Sequence, residues 1–267
     1  MKEKIIRVNS SRVFYRVAGT GKPVIILHGW LSSSRAWLIF QKHLAPRGFK
    51  IIIPDLPGFG QSPLSDPRGW GLDDYVQWVQ DFIKVLRESK ELEGPLTLVG
   101  HSFGGRIAIK IAAEKSLPLL HSLILIDAAG LLTQPDLRKK ILASIASHCR
   151  RYLDTMNISS KLKEKFKILG YRLIRQKDYL RASPELRKTF QKIIGEDLLP
   201  LLPKITLPTL IVWGKKDQLL PVSQAYLLQE NIPHSKLKII PNAEHSPGIQ
   251  TPEKLSEIMF NFLKEHD

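Results

Sequence analysis

Ten consecutive residues, Leu96-Thr97-Leu98-Val99-Gly100-His101-Ser102-Phe103-Gly104-Gly105, constrain the fold more than any other stretch of the chain. An apolar strand runs into a tight turn, and a helix is expected over residues 106–114. Gly100, Ser102 and Gly104 fit G-x-S-x-G, the nucleophile elbow, in which a sharp strand-to-helix turn lifts a serine hydroxyl clear of a sheet. Small residues are needed on both sides because the strained turn leaves no room for a Cβ near neighbouring strands. The pattern carries weight only with a strand before it and a helix after it, and both are legible here.

The rest of the chain supplies the sheet such a turn requires. Residues 24–27 and 123–126 are apolar runs without alternation, as expected of strands buried on both faces; residues 49–53, with only Lys50 polar, and 209–213 read the same way, and 237–240 as the last strand. Between them lie helical patterns: residues 36–44, residues 72–86 with Tyr75, Val79, Phe82 and Leu86 at helical spacing, a helix opened by Pro221, and a terminal helix over 252–263. Residues 4–18 read as an antiparallel hairpin with Asn9-Ser10-Ser11 at its turn. Strands alternating with helices in this way predict an α/β fold, a mostly parallel, doubly wound sheet with helices on both faces.

From Leu131 the pattern changes, and no strand is expected before Thr209. Leu137, Ile141, Ile145 and Cys149 form one helical stripe, and Leu162, Phe166, Leu169 and Leu173 form another. Ser183-Pro184-Glu185 reads as a cap with proline in the first helical position, opening a third helix. The expected organisation is a core of residues 1–130 and 207–267 interrupted by a helical cap insertion, residues 131–206.

The formal charge is +15, and residues 131–206 hold 17 Lys and Arg against 7 Asp and Glu. Without aromatic interleaving or a nucleic-acid motif, this excess reads as solvated helix faces, and no specific nucleic-acid partner is expected. The first residues carry a charge every few positions, so neither a secretion signal nor a membrane span is expected, and the cytoplasm is the expected compartment. One cysteine, Cys149, excludes an intrachain disulfide framework and argues against a structural zinc site.

A serine hydroxyl is a weak nucleophile until a base takes its proton, so Ser102 needs an imidazole within hydrogen-bond reach. Among eight histidines, His245 lies in the loop after the last strand, on the edge where every parallel strand ends and where the elbow also sits. The others lie inside turn motifs, beside elements, in the insertion or in the tail. The imidazole in turn needs a carboxylate to hold its tautomer and stabilise the imidazolium. Asp127 and Asp217 both follow strands at that edge; Asp217 is favoured, because it lies in a loop and gives the order Ser, Asp, His. Asp127 abuts its strand end and is read as fixing the turn. The oxyanion of acyl transfer needs two backbone N–H donors. Phe103, after the nucleophile, supplies one; Trp30 is the first candidate for the other and Leu31 the second.

With His28-Gly29-Trp30, Asp55-Leu56-Pro57-Gly58-Phe59-Gly60-Gln61-Ser62, Gly100-His101-Ser102-Phe103-Gly104-Gly105, Trp213-Gly214-Lys215-Lys216-Asp217 and Ala243-Glu244-His245 in this order, the chain resembles the α/β-hydrolase superfamily. The resemblance covers nearly everything but the insertion, which stands where that superfamily carries its helical cap. Haloalkane dehalogenases and epoxide hydrolases of this fold use an aspartate at the elbow, so Ser102 argues against both. An HGGG-type oxyanion loop is absent, which argues against that branch of lipases and esterases.

The resemblance implies a serine hydrolase of small to medium carboxylic esters or lactones, with an acyl-enzyme on Ser102, no metal and no organic cofactor. Two alternatives stay open: a carbon–carbon bond hydrolase of ring-cleavage products, and a non-catalytic ligand receptor or polyanion-binding protein on the same scaffold. The expected state is a monomer or homodimer.

Overall fold

The computed structural model describes residues 1–64, 66–132 and 182–266. Its eight strands are β1 (Lys2–Val8), β2 (Ser11–Ala18), β3 (Lys22–Leu27), β4 (Phe49–Pro54), β5 (Leu96–His101), β6 (Leu120–Ile126), β7 (Thr209–Gly214) and β8 (Ser235–Ile240). They form one sheet in the order β1-β2-β4-β3-β5-β6-β7-β8. β1 pairs antiparallel with β2, and β2 with β4; every other neighbouring pair is parallel. The hairpin closes through Asn9 and Ser10, whose φ angles of 47° and 67° give the left-handed turn that matches strand twist.

The helices are α1 (Leu38–Leu44), α2 (Leu72–Glu88), α3 (Phe103–Glu114), α4 (Pro184–Ile194), α5 (Ser223–Asn231), the single turn α6 (Pro247–Gln250) and α7 (Pro252–Glu265). Side chains alternate along each central strand, and both faces are covered. Ile25, Leu27, Leu98, Leu123, Leu125 and Trp213 belong to the core that includes α2, α3 and α5. Val24, Ile26, Val99, Ile124, Ile126 and Val212 belong to a second core, with Phe40 and Leu44 of α1 and Leu255 and Met259 of α7. The central strands therefore carry no polar face, which is the physical origin of their unbroken apolar runs.

Several boundaries differ from expectation. α3 begins at Phe103, three residues before the predicted start, because Gly104 and Gly105, poor helix formers in isolation, are helical here by close packing. β6 begins at Leu120, ahead of the apolar run, and its buried Ser122 is satisfied by Thr97 of β5 through hydroxyls 2.8 Å apart. A 3-10 turn, Ser34–Trp37, precedes α1, and another, Leu199–Lys204, follows α4.

α4 is the helix that Ser183-Pro184 foretold: the Ser183 hydroxyl accepts the Leu186 N–H at 3.3 Å, with Pro184 in the first turn. Arg106 of α3 donates to the carbonyl oxygens of Ile193 and Glu196, both at 2.9 Å, and so ties the end of α4 to the core. Lys110 adds ion pairs to Glu196 at 2.6 Å and to Asp73 at 2.5 Å. The two further helical stripes expected in the insertion, Leu137 to Cys149 and Leu162 to Leu173, lie outside the described residues.

Candidate active site

Five adjacent strands, β3, β5, β6, β7 and β8, end on one edge of the sheet. The loops after them bring in Trp30, Ser102, Asp127, Asp217 and His245 in that spatial order. Ser102 stands at the sharp turn between β5 and α3 with φ 51° and ψ −112°, a backbone strain that a non-glycine residue adopts only when its surroundings enforce it. Its N–H donates to Ile126 at 3.1 Å, and its carbonyl accepts the N–H groups of Gly105 and Ala129 at 2.9 and 3.0 Å. The small neighbours are a packing requirement. A Cβ on Gly100 would lie 2.5 Å from the Gly104 carbonyl oxygen and 2.6 Å from Gly105 Cα.

The Ser102 hydroxyl donates to His245 Nε2 at 2.9 Å, and His245 Nδ1–H donates to Asp217 Oδ2 at 2.7 Å. The Asp217 side chain is wholly buried, whereas His245 keeps 17% of its side chain exposed. The second Asp217 oxygen accepts the N–H groups of Leu219 and Leu220 at 2.7 and 3.0 Å, so the carboxylate is fixed at both ends. Burial pushes the Asp217 carboxyl up. The hydrogen bond and charge of His245, with the two N–H groups, outweigh burial and hold it below its usual range.

Of the two candidate acids, Asp217 is thus the one that meets His245. Asp127 instead uses Oδ1 to accept the Gly214 N–H at 2.9 Å, while its own N–H donates to Val212 at 3.0 Å. It does fix a turn, as expected, but it also lies beside Asp217 and His245. One donor atom each from Asp127, Asp217 and His245 all fall within 4.8 Å of one another, the arrangement nearest to a metal site among the described residues. The His245 nitrogen on that side already holds a proton for Asp217, which makes it a donor rather than a ligand.

The loop after β3 lies against Ser102: a Cβ on Gly29 would come within 3.3 Å of Ser102 Cβ. His28 anchors this loop, donating from Nδ1 to the Gly29 carbonyl at 2.8 Å and accepting the Leu56 N–H on Nε2 at 3.0 Å. Its burial favours the neutral ring that this pairing demands. Asp55 serves the loop after β4, accepting the N–H groups of Ser34 and Gln61 at 2.7 and 2.8 Å. The Trp30 ring packs on Phe59, Phe103 and Phe190, with ring centroids 5.0, 5.4 and 5.1 Å away, so an aromatic wall joins the loop after β3, the elbow and α4. A cavity of about 400 Å³ walled by Arg12, Trp70 and Trp78 lies elsewhere and touches no triad residue.

By sequence, His101 lies inside a turn motif. The structure buries it beneath His245, whose carbonyl oxygen accepts its Nε2–H at 2.7 Å. Burial first, then the nearby His245, push the His101 ring down to about 4, so it is neutral near pH 7. Its place immediately before the nucleophile was the available signal; its partner, 144 residues away, was not legible.

Similar proteins point the same way. A family model described as alpha/beta hydrolase fold matches residues 22–252. The chain is 28% identical over 258 residues to the monoacylglycerol lipase ABHD6 of Bos taurus, covering 90% of this chain and 74% of that protein. It is 29% identical over 267 residues to the AB hydrolase superfamily protein YisY of Bacillus subtilis, covering 94% of each. Among solved structures, a serine hydrolase involved in carbazole degradation, the CarC enzyme, matches with a TM-score of 0.74 and 26% identity over 99% of both chains.

Proposed function

The chain belongs to the alpha/beta hydrolase fold family, and from that premise we propose that it is a serine hydrolase of carboxylic esters, lactones included, acting through an acyl-enzyme on Ser102. The observation that carries the reading is the unbroken hydrogen-bond chain from Ser102 through His245 to a buried Asp217. His245 Nε2 takes the hydroxyl proton as Ser102 Oγ attacks the ester carbonyl carbon. The N–H groups of Phe103 and Trp30 hold the oxyanion, and the imidazolium, steadied by Asp217, gives its proton to the departing alcohol. Water then attacks the acyl-enzyme with His245 again as base, and the carboxylic acid leaves. These steps use no metal and no organic cofactor.

The aromatic wall of Trp30, Phe59, Phe103 and Phe190 supports an apolar acyl group beside the elbow, and the similarity to a monoacylglycerol lipase supports an ester substrate. The helical cap that the sequence leads one to expect over 131–206 favours small to medium substrates.

The test is hydrolysis of a panel of activated esters and lactones by wild type and Ser102→Ala, with intact mass after a serine-reactive phosphonate. Expected are one adduct per chain, absent in the variant, and a loss of turnover of about 10⁴-fold or more. An adduct without ester or lactone turnover would replace the substrate class with carbon–carbon bond cleavage of ring-cleavage products. No adduct and no turnover would overturn the enzyme reading in favour of a receptor.

A further inference from the structure

Asp127 is a carboxyl group that the mechanism above leaves unused. It is fully buried, Oδ1 is committed to the Gly214 N–H, and Oδ2 is enclosed without a partner. Its neighbour Asp217 is equally buried on its side chain. Two enclosed carboxylates with oxygens within 4.8 Å of each other cannot both ionise without a large cost, and the proton that relieves the repulsion also satisfies the empty Oδ2. That proton belongs on Asp127. Asp217 receives three donors, from His245, Leu219 and Leu220, all of which favour its charged form, whereas Asp127 receives one.

We propose that Asp127 is a positioning residue for the proposed ester hydrolysis: as a neutral acid it donates from Oδ2 to the Asp217 carboxylate and holds that carboxylate on His245. The inference rests on the serine hydrolase reading. Asp127 keeps its proton throughout the cycle, so no transfer step is added. Because the bond consumes part of the Asp217 charge, Asp217 is also restrained from drawing the proton off the imidazolium.

The groups that face this pair agree. Asp217 comes from the loop after β7 and His245 from the loop after β8, and His101, at the end of β5, stands behind His245 as a neutral ring. Burial pushes the Asp127 carboxyl up to about 8 against the opposing Gly214 N–H, and the charge of and hydrogen bond with Asp217 add smaller upward pushes.

Asparagine at this position reproduces the proposed neutral form, since its Nδ2–H replaces the acid proton and its oxygen still accepts from Gly214. The experiment compares wild type, Asp127→Asn and Asp127→Ala in kcat and KM on an activated ester from pH 5 to 10, together with the rate of phosphonate labelling at Ser102. For Asp127→Asn the expected kcat at pH 7 is within about threefold of wild type and the acid limb does not move, because no charge has been removed. The wild-type kcat falls as pH passes the Asp127 ionisation, and this fall disappears in Asp127→Asn. In Asp127→Ala, kcat and the labelling rate drop about tenfold at constant KM, because Asp217 has lost a donor.

An acid limb displaced to lower pH in Asp127→Asn would show that a fixed negative charge had been removed and would overturn the proposal. So would a wild-type profile in Asp127→Ala. If the alanine variant does not fold, judged by circular dichroism, the asparagine profile decides alone. Wild-type protein that neither labels nor turns over would overturn the serine hydrolase reading itself, an outcome distinct from labelled wild type with indifferent Asp127 variants.

Discussion

His101 Nε2–H donates to the main-chain carbonyl oxygen of His245 at 2.7 Å, so the residue next to Ser102 holds the backbone of the residue that we propose activates it. One strand end thus sets both partners of the proton transfer. The end of β5 is tied directly to the loop that carries His245.

Removing that donor should loosen the base without touching substrate. His101→Leu is expected to lower kcat about tenfold with little change in KM, the effect of leaving one buried carbonyl unpaired. His101→Gln, whose amide can donate in the same direction, is expected to recover most of the loss. Steady-state kinetics on the two variants measures both.

The same histidine predicts a pH window for stability. Its folded-state ionisation lies at about 4, below the ordinary 6.5, so between these values the unfolded chain binds a proton that the folded protein refuses. Stability therefore falls as pH drops from about 6.5 to about 4, by on the order of 3 kcal/mol, and levels off below. Urea unfolding at successive pH values checks this, and His101→Gln should flatten the slope.

Asp127 acts with the opposite sign. Its folded-state ionisation is raised, so the folded protein binds the proton more tightly than the unfolded chain does. The stability associated with that proton is progressively lost as pH rises from the usual carboxylate range through about 8. Asp127→Asn is thus expected to melt higher than wild type, with the gain largest above pH 8. Thermal melts at pH 6 and 9 would show it.

The elbow itself should tolerate no side chain at Gly100. A methyl group there would lie 2.5 Å from the Gly104 carbonyl oxygen and 2.8 Å from Ala108 Cβ, and neither helix nor strand can retreat without disturbing Ser102. Gly100→Ala is expected to cost roughly 1–3 kcal/mol through overpacking, read as a shift in the urea midpoint.

Arg106 is the buried clamp between the elbow helix and α4. Arg106→Met removes three facts at once: a charge favourable at a helix C-terminus and both hydrogen bonds to Ile193 and Glu196. The expected loss is about 1–3 kcal/mol, measured by urea unfolding. A rise in protease cleavage near Glu196 at unchanged phosphonate labelling would separate a loosened α4 from a damaged triad.

The sheet and the sharp turn that presents Ser102 were legible in the chain alone, because both are written in local pattern. Unbroken apolar runs marked strands covered on both faces, and Gly-x-Ser-x-Gly between a strand and a helix admits few other structures. Chain order and the common edge of parallel strands were enough to favour His245 and Asp217. Local pattern was less informative where packing overruled propensity. The start of α3 ran through two glycines, and Ser122 interrupted the apolar signal of β6.

What only tertiary structure decided are the relationships between strand ends. His245 reaches past the ends of β7 and β6 to meet Ser102, Asp217 takes its hydrogen bond, and Asp127 comes to lie beside both. His101 and Asp127 each looked like turn residues because their partners stand 144 and 90 positions away. Their environment is set by burial and by charges from other loops. A linear pattern records which groups a chain carries; the dielectric around them, and the partners that move their protons, exist only once the sheet has brought its ends together.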